Sequence, residues 1–424
     1  MRKETYISIV LPVYNEGNRI EAVIDSIYRQ TSKYGIFTLD NMELIIVDNN
    51  STDDSIQKVK AAQDKYKDLT IHIINETTQG VSSARKKGMD YASQRAGIRN
   101  IEYGIDHKHY IVSADADCEV DKYWIDELVY TMLEQHGDLG TCNYYYDKRD
   151  FELRPNLYRE IDKTLRCRHF SFSLFGGFPD GKGFAVEKRM YDAVGGIEIF
   201  YQLEGGRFVE HLSDDWDFGI KVIACGGKPV YAPEAYVKIN SRRVDTLLYE
   251  VMNGTAYGKD GIIIMKDVRP TDHALENYQD LSPEQAEVSW FNSIKDYIPK
   301  NIVLPVLLNP SLLVDNPEVI EFFTPEVAES LYRRIYQIKY ETSVVDFKPI
   351  HAYKTPAFRL YFEFRHEIFN SLRRFVGEDI GSAPPLPACF DTVDEKDFLR
   401  FVYYFCEDRE SGEAHNYFAN GGVF

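Results

Sequence analysis

Residues 7–16 have the sequence ISIVLPVYNE, in which an apolar, β-branched run ends in a polar cluster. The run predicts a buried β-strand over 7–11, because strands that are covered on both faces are apolar throughout. Apolar residues then recur at helical spacing between Ile20 and Ile27, with Asn15 or Asn18 available as a cap. A strand followed by an amphipathic helix predicts one unit of a parallel α/β sheet.

The same pattern of a buried strand and then a helix recurs three more times within the first 135 residues. Strand-like runs occupy 44–47, 71–74 and 110–112, and helical patterns follow them near 56–59, 81–92 and 124–132. Three polar clusters stand where predicted strands end, at 14–16, 48–50 and 115–117. Ligands bind at the carboxyl ends of the strands in such sheets. One polar loop alone is an ordinary feature, but three at one sheet edge predict a binding site.

The remainder of the chain has a different composition. Residues 140–245 are mixed and rich in Gly and aromatic residues, whereas helical patterns such as 317–340 and 358–376 dominate after 246. We therefore predict one domain over 1–245 and a largely α-helical C-terminal domain or extension over 246–424.

The bulk properties exclude several classes of protein. A formal net charge of −18 argues against a nucleic-acid binder, because the phosphate backbone would be repelled. Six scattered cysteines without a CxxC pair indicate reduced thiols in a cytoplasmic protein. The apolar stretch 302–314 is broken by Pro305 and Pro310 and is too short for a membrane-spanning helix. We expect no transmembrane span, while peripheral membrane contact and homo-oligomer formation stay open.

The segment Asp115-Ala116-Asp117 is the strongest local chemical signal. Two carboxylates at positions i and i+2 after a buried strand can reach one hard divalent cation, such as Mn²⁺ or Mg²⁺. Such a cation would offset negative charge on a diphosphate leaving group. The alternative is a solvated acidic loop, which the position directly after a predicted strand disfavours.

Six segments occur together in a characteristic order between residues 7 and 230. They are 9–16, 45–53, 80–85, 115–117, 183–186 with 194–196 after it, and 214–218. In this ordered set the chain resembles family 2 glycosyltransferases of the GT-A fold. The resemblance implies a Rossmann-like, mostly parallel sheet flanked by helices. It also implies an inverting, metal-assisted transfer from a nucleoside-diphosphate sugar to a hydroxyl of a glycan, a lipid-linked acceptor or a small molecule. Residues 1–245 would then be the catalytic domain, and acceptor binding or oligomerisation is the expected role of residues 246–424.

The resemblance also assigns the donor site to particular residues. It places the nucleotide-sugar contacts on Pro12, Tyr14, Glu16, Asp48, Asn49, Arg85, Asp115, Ala116, Gly183 and Arg243. Tyr14 would stack on the base, and Asp48 with Asn49 would hold the base and ribose. Many family members have two acids there, and a carboxamide at Asn49 still suits a pyrimidine edge, so the expected donor is UDP-linked.

The remaining implied contacts concern the diphosphate, the metal and the donor sugar. Arg85 would meet the base or the diphosphate, with a helix-surface salt bridge as the alternative. Arg243 would cover the diphosphate, with a solvated basic turn as the alternative. Asp117 would ligate the metal directly, and Asp115 would contact the ribose or a metal-bound water. Gly183 would line the wall of the donor-sugar site, where a plain turn is the alternative.

The proton acceptor is expected at the start of a later helix. Asp215 would be the general base that inverting transfer needs, with Asp214 as the reserve candidate. One carboxylate close to another can have its pKa raised toward a useful value. Contact with the helix N-terminus is the structural alternative for this pair.

Two other functions are less consistent with the sequence. A sugar-phosphate nucleotidyltransferase would need a Gly-rich, basic loop after the first strand, but no Lys or Arg occurs there before Arg19. A non-catalytic nucleotide-sugar binding module would be expected to lack the base or the metal acids, and both are present.

Overall fold

A computed structural model of the protein describes residues 5–103, 107–199, 201–204, 207–210, 214–241, 244, 280–342 and 354–383. The chain divides into two compact units. The first comprises Met1–Asp147, Phe175–Tyr201 and Glu210–Asn240, and the second Lys148–Leu174, Gln202–Val209 and Ser241–Phe424. The statements below concern the described residues of each unit. The functional boundary at 245 stays a prediction.

The strands belong to one large sheet and one two-stranded sheet. In chain order they are β1 (Thr5–Val13), β2 (Met42–Asp48), β3 (Thr70–Asn75), β4 (Lys108–Ser113), β5 (Glu119–Val120), β6 (Leu139–Tyr146), β7 (Phe184–Glu187), β8 (Tyr201–Glu204), β9 (Arg207–Glu210) and β10 (Pro229–Ile239). The large sheet has the strand order β3-β2-β1-β4-β7-β6-β10-β5, and β8 pairs with β9.

The large sheet is parallel where the sequence predicts parallel strands. Strands β3, β2, β1 and β4 run parallel, as do β6 and β10. Strand β7 is antiparallel to β4 and β6, and β5 is antiparallel to β10. The four predicted strands at 7–11, 44–47, 71–74 and 110–112 are confirmed. The expected α/β class with a mostly parallel sheet and flanking helices is confirmed as well.

Seven α-helices occur between the strands in the described residues up to 241. They are α1 (Ile20–Tyr28), α2 (Ser55–Lys65), α3 (Val81–Tyr103), α4 (Trp124–Glu134), α5 (Pro155–Phe175), α6 (Lys188–Ala193) and α7 (Asp214–Ala224). Alternate residues of β2 join two separate cores: Ile46 packs with α1 and α4, and Ile45 packs with α3 and α7. The sheet therefore has helices on both faces, which explains its continuously apolar strands.

The described part of the chain after residue 280 is helical. Its α-helices are α8 (Pro283–Ile298), α9 (Leu304–Leu308), α10 (Leu312–Asp315), α11 (Pro317–Phe323), α12 (Pro325–Thr342) and α13 (Lys354–Val376). Short 3₁₀ turns occur at Leu39–Asn41, Lys148–Phe151 and Glu378–Ile380, and a π turn at Pro299–Val303. The predicted helix 317–340 is two helices, because Thr324 adopts a left-handed φ of 71° between them. No helix within the described ranges is long and apolar enough to cross a membrane.

A buried ion cluster lies in the first unit around Glu43, at the start of β2. Glu43 is 2% exposed and accepts hydrogen bonds from Ser8 Oγ at 2.7 Å, Arg95 Nε at 2.8 Å and Arg99 Nη2 at 3.0 Å. Burial alone raises the pKa of Glu43. The hydrogen bonds from His72 and Ser8 and the charge of Arg99 outweigh it and lower the pKa from 4.5 to about 2. The carboxylate is therefore charged in the folded protein.

We expect Glu43→Gln to lower the free energy of unfolding by about 3 kcal/mol, the lower end of the cost of removing one partner from a buried ion pair. Because the pKa of Glu43 is lower in the folded state, its stabilising contribution is complete above pH 4.5 and is lost as the pH falls toward 2. Urea unfolding at pH 7 and in this acid window measures both effects. Glu102→Gln, at an exposed position of α3, is the control. A Glu43→Gln variant as stable as this control at pH 7 would contradict the assignment.

Candidate active site

The loops after β1 and β2 are joined by hydrogen bonds. Asn15 has a left-handed φ of 54°, and its Oδ1 accepts from the backbone N–H of Thr52 at 2.8 Å. The backbone N–H of Glu16 donates to Ser55 Oγ at 2.8 Å, and its carboxylate accepts from Arg19 at 3.2 Å. The predicted cap of α1 by Asn15 or Asn18 is wrong, because Arg19 occupies the N-cap position without a side-chain hydrogen bond. Asn15 instead holds the two loops together at the carboxyl edge of the sheet.

Three predicted nucleotide contacts lie at these strand ends. Pro12 and Asp48 are partly buried, and Asp48 Oδ1 accepts the backbone N–H of Ser51 at 3.0 Å. Tyr14, directly after β1, is 44% exposed. An exposed aromatic ring at the carboxyl end of a parallel strand is suited to stacking on a planar base.

The side chain of Asn49 is held by hydrogen bonds within the protein, and its predicted contact with base or ribose stays a prediction. Its side chain is 2% exposed, and its Nδ2 donates to the carbonyls of Glu76 at 2.9 Å and Thr78 at 2.6 Å. Its Oδ1 accepts from Gly80 N at 2.8 Å and Gln79 Nε2 at 3.1 Å. Both donors and both acceptor positions of the amide are thus used within the protein. The geometry therefore favours a role in positioning the loop before α3 over direct contact with base or ribose.

The predicted metal acids lie together after β4. Asp115 is 8% exposed, Asp117 6% and the intervening Ala116 3%. The ligand atoms of Asp115, Asp117 and Cys118 all lie within 4.8 Å of one another. Two converging carboxylates fit a hard divalent cation such as Mn²⁺ or Mg²⁺, whereas the soft thiol adds little to such a site. The sequence did not predict that Cys118 belongs to this group, although it directly follows Asp117 in the chain.

Arg85, near the start of α3, contacts both a predicted metal ligand, Asp115, and Asp214, the neighbour of the predicted general base. Its side chain is 2% exposed, and its Nη2 donates to Asp115 Oδ1 at 2.8 Å. Its Nη1 donates to Asp214 Oδ2 at 2.6 Å. Both terminal nitrogens are therefore engaged with carboxylates. The predicted contact of Arg85 with the base or diphosphate stays a prediction.

Asp214 and Asp215 are the first two residues of α7, and their carboxylates have different surroundings. Asp214 is buried against Arg85, whereas Asp215 is partly exposed and accepts the backbone N–H of Trp216 at 2.7 Å. Burial and then the charge of Asp214 raise the pKa of Asp215 to about 7, although the charge of Arg85 opposes them. A carboxyl group that titrates near neutrality is suited to accept a proton.

Two glycines of the loop before β7 are closely packed against neighbouring side chains. A Cβ atom added at Gly181 would lie 2.8 Å from both carboxylate oxygens of Asp115 and 2.9 Å from Arg85 Nη2. One added at Gly183 would lie 2.8 Å from Cys142 Sγ. Gly183, predicted as part of the sugar wall, is thus required by internal packing. Gly181 is the glycine that lies directly against the charged groups.

The structure therefore brings most of the predicted catalytic and metal residues into one place. Arg85 connects Asp115 with Asp214, and Asp117 and Asp215 stand beside these two in the sequence. Arg243 lies outside the described residues. Gly181 and Cys118 are the neighbours whose contacts the sequence did not predict.

The family profile described as glycosyl transferase family 2 matches residues 8–188. The uncharacterised glycosyltransferase YibD of Escherichia coli (strain K12) is 26% identical over 143 residues, which are 34% of this chain and 35% of YibD. The undecaprenyl-phosphate 4-deoxy-4-formamido-L-arabinose transferase of Yersinia pestis (strain Pestoides F) is 30% identical over 160 residues, 38% of this chain and 43% of that protein. The chain thus covers less than half of these relatives' lengths.

Among solved structures, the protein is similar to S. aureus TarS 1–349 in complex with UDP-GlcNAc. The identity is 13% and the TM-score 0.41, with 99% of this chain and 93% of that chain covered. The family match includes Arg85, Asp115 and Asp117 and ends before Asp214 and Asp215. Over residues 8–188 the chain is therefore similar to glycosyl transferase family 2.

Proposed function

We propose that the protein is an inverting glycosyltransferase that uses a UDP-linked sugar and a divalent cation. One observation carries the proposal: the carboxylates after β4 and those at the start of α7 are joined by the buried Arg85. One pair is suited to a metal and a diphosphate, and the other contains a carboxyl group whose pKa is near 7. These are the two chemical elements that metal-assisted displacement at a sugar carbon requires.

The donor would lie along the carboxyl edge of the parallel strands. Tyr14 would stack on the base, and Asp48 would accept a hydrogen bond from a pyrimidine N–H. Asn49 would act indirectly, by fixing loop 76–80 at this edge. A divalent cation held by Asp117 and Asp115 would offset the charge on the diphosphate leaving group.

Asp215 would act on the acceptor side. As the acceptor hydroxyl oxygen attacks the anomeric carbon, its proton passes to the Asp215 carboxylate. The bond from that carbon to the diphosphate oxygen breaks, and its electron pair leaves with the nucleoside diphosphate. Attack opposite the leaving group inverts the anomeric configuration. Residues 246–424 would recognise the acceptor or hold copies of the chain together.

Ligand-induced stabilisation tests the donor assignment. In the presence of Mn²⁺, UDP and UDP-sugars at 100 times their Kd should raise the free energy of unfolding by about 2.7 kcal/mol. ADP, CDP and GDP serve as controls, and Tyr14→Ala should weaken UDP binding. Stabilisation by none of the nucleoside diphosphates would contradict the proposal. Hydrolysis of a bound UDP-sugar would separate an enzyme from a binding module.

A further inference from the structure

Arg85 contacts two groups that the proposed function separates into a donor end and an acceptor end. We propose that Arg85 is a positioning residue that fixes Asp115 relative to Asp214, so that the metal-binding and proton-accepting ends of the site keep one geometry. This inference rests on the proposed function. It assigns to Arg85 a task distinct from direct contact with the donor.

The geometry of the guanidinium suits this task. Its two terminal nitrogens lie 2.8 Å from Asp115 Oδ1 and 2.6 Å from Asp214 Oδ2, and the side chain is 2% exposed. A guanidinium is planar and always charged, and it presents its N–H groups in a rigid fork. The ammonium of a lysine is a compact point charge without that fork. Only an arginine at this position therefore sets the spacing of the two carboxylates.

Gly181 packs directly against two members of this arrangement, Asp115 and Arg85. The Cβ of any other residue would come within 2.9 Å of Arg85 Nη2 and within 2.8 Å of both Asp115 carboxylate oxygens. Its backbone is not in the left-handed region, so lack of space is the reason for glycine here. The Arg85–Asp115 pair is therefore enclosed by the loop before β7 and has little freedom to move.

Arg85 also affects the pKa of Asp215, the proposed base. The charged groups that act on Asp215 are Asp214 on the same helix, Arg85 on α3 and Asp180 in the loop before β7. The N–H of Trp216 donates to it as well. Asp214 raises the pKa of Asp215 and Arg85 lowers it. Removing the charge of Asp214 and removing the charge of Arg85 should therefore shift the pKa of Asp215 in opposite directions.

The test uses the pH profile of UDP-sugar hydrolysis at saturating Mn²⁺, in which water replaces the acceptor hydroxyl. Arg85→Gln should shift the acid limb of kcat to higher pH, by at least about one unit, the low end of what a nearby opposite charge contributes. Asp214→Asn should shift it to lower pH, and the double variant should return toward the wild-type value. If Arg85 were merely structural, its loss would lower kcat at every pH. The acid limb would then not shift in opposite directions in the two single variants, and the double variant would not return toward the wild type.

A second variant leaves every charge in place. Gly181→Ala should displace the Arg85–Asp115 pair and lower kcat by about 10–100-fold, in the range that a misplacement of about 1 Å costs. Gly97→Ala on α3 is the matched control, because nothing lies within 4 Å of its added methyl group. Arg85→Lys should not restore the wild-type rate. If Arg85→Gln does not fold, Asp214→Asn and Gly181→Ala decide the question.

The outcomes separate this inference from the proposed function. Absence of UDP-sugar binding and hydrolysis in the wild type would overturn the proposed function itself. An active wild type in which Gly181→Ala behaves like Gly97→Ala would overturn the positioning role alone. Shifts of the acid limb in the same direction for Arg85→Gln and Asp214→Asn would overturn it as well.

Discussion

Asp215→Asn is expected to lower the rate of sugar transfer by about 10²–10⁴-fold, the usual contribution of a general base. The carboxamide keeps the shape of the side chain but cannot accept a proton, so the acceptor oxygen remains a weak nucleophile. The dissociation constant of the UDP-sugar should change little, since Asp215 would face the acceptor. Steady-state kinetics combined with calorimetric titration of the donor measures both quantities.

Two variants serve as comparisons for this result. Asp214→Asn should lower the rate of sugar transfer less, because the asparagine oxygen can still accept the hydrogen bond from Arg85. Asp64→Asn, at an exposed position of α2, should leave both constants unchanged. A larger loss of kcat in Asp214→Asn than in Asp215→Asn would assign the general base to Asp214 instead.

Asp117→Asn should remove most of the transfer activity by a different route. A neutral amide is a poorer ligand than a carboxylate for a hard cation, so the leaving diphosphate loses its counter-charge. Titration of Mn²⁺ followed by electron paramagnetic resonance should show weakened binding in this variant. EDTA should inactivate the wild type, and added Mn²⁺ or Mg²⁺ should restore it.

Cys118→Ser is the matched control for the metal site. It changes the residue next to Asp117 but leaves both carboxylates in place. We expect Mn²⁺ affinity close to that of the wild type, since the carboxylates are the hard ligands. Wild-type activity in Asp117→Asn, or an enzyme that EDTA does not affect, would contradict the metal assignment.

The sequence predicts the first four strands of the sheet well, and three of them are buried along most of their length. The runs 7–11, 44–47, 71–74 and 110–112 are apolar and bounded by polar loops, and each is found in β1 to β4. Their parallel pairing also explains why clusters far apart in the chain meet at one edge.

Later elements lack such a pattern. Strand β7 has only four residues, and the register of β10 shifts between Ala232 and Tyr236. Helix α5 lies in the stretch that the composition describes only as mixed. The helical pattern 317–340 does not reveal the break at Thr324, because its φ of 71° is a local conformation that apolar spacing does not encode.

The site is only partly accessible to sequence reasoning. The acids at 115–117 and 214–215 are recognised by their place in an ordered set of motifs. The ion pairs of Arg85 join residues 30 and 129 positions apart, and no spacing rule predicts them. The saturated hydrogen bonds of Asn49 and the contacts of Gly181 likewise depend on how loops pack in three dimensions.

The anomeric configuration of the released sugar tests the central claim most directly. A UDP-sugar is incubated with the protein and Mn²⁺, and proton NMR records the first anomer that appears, before mutarotation equilibrates the two forms. Single displacement with Asp215 as the base predicts the configuration opposite to that of the donor. Release with the donor's own configuration would contradict the account.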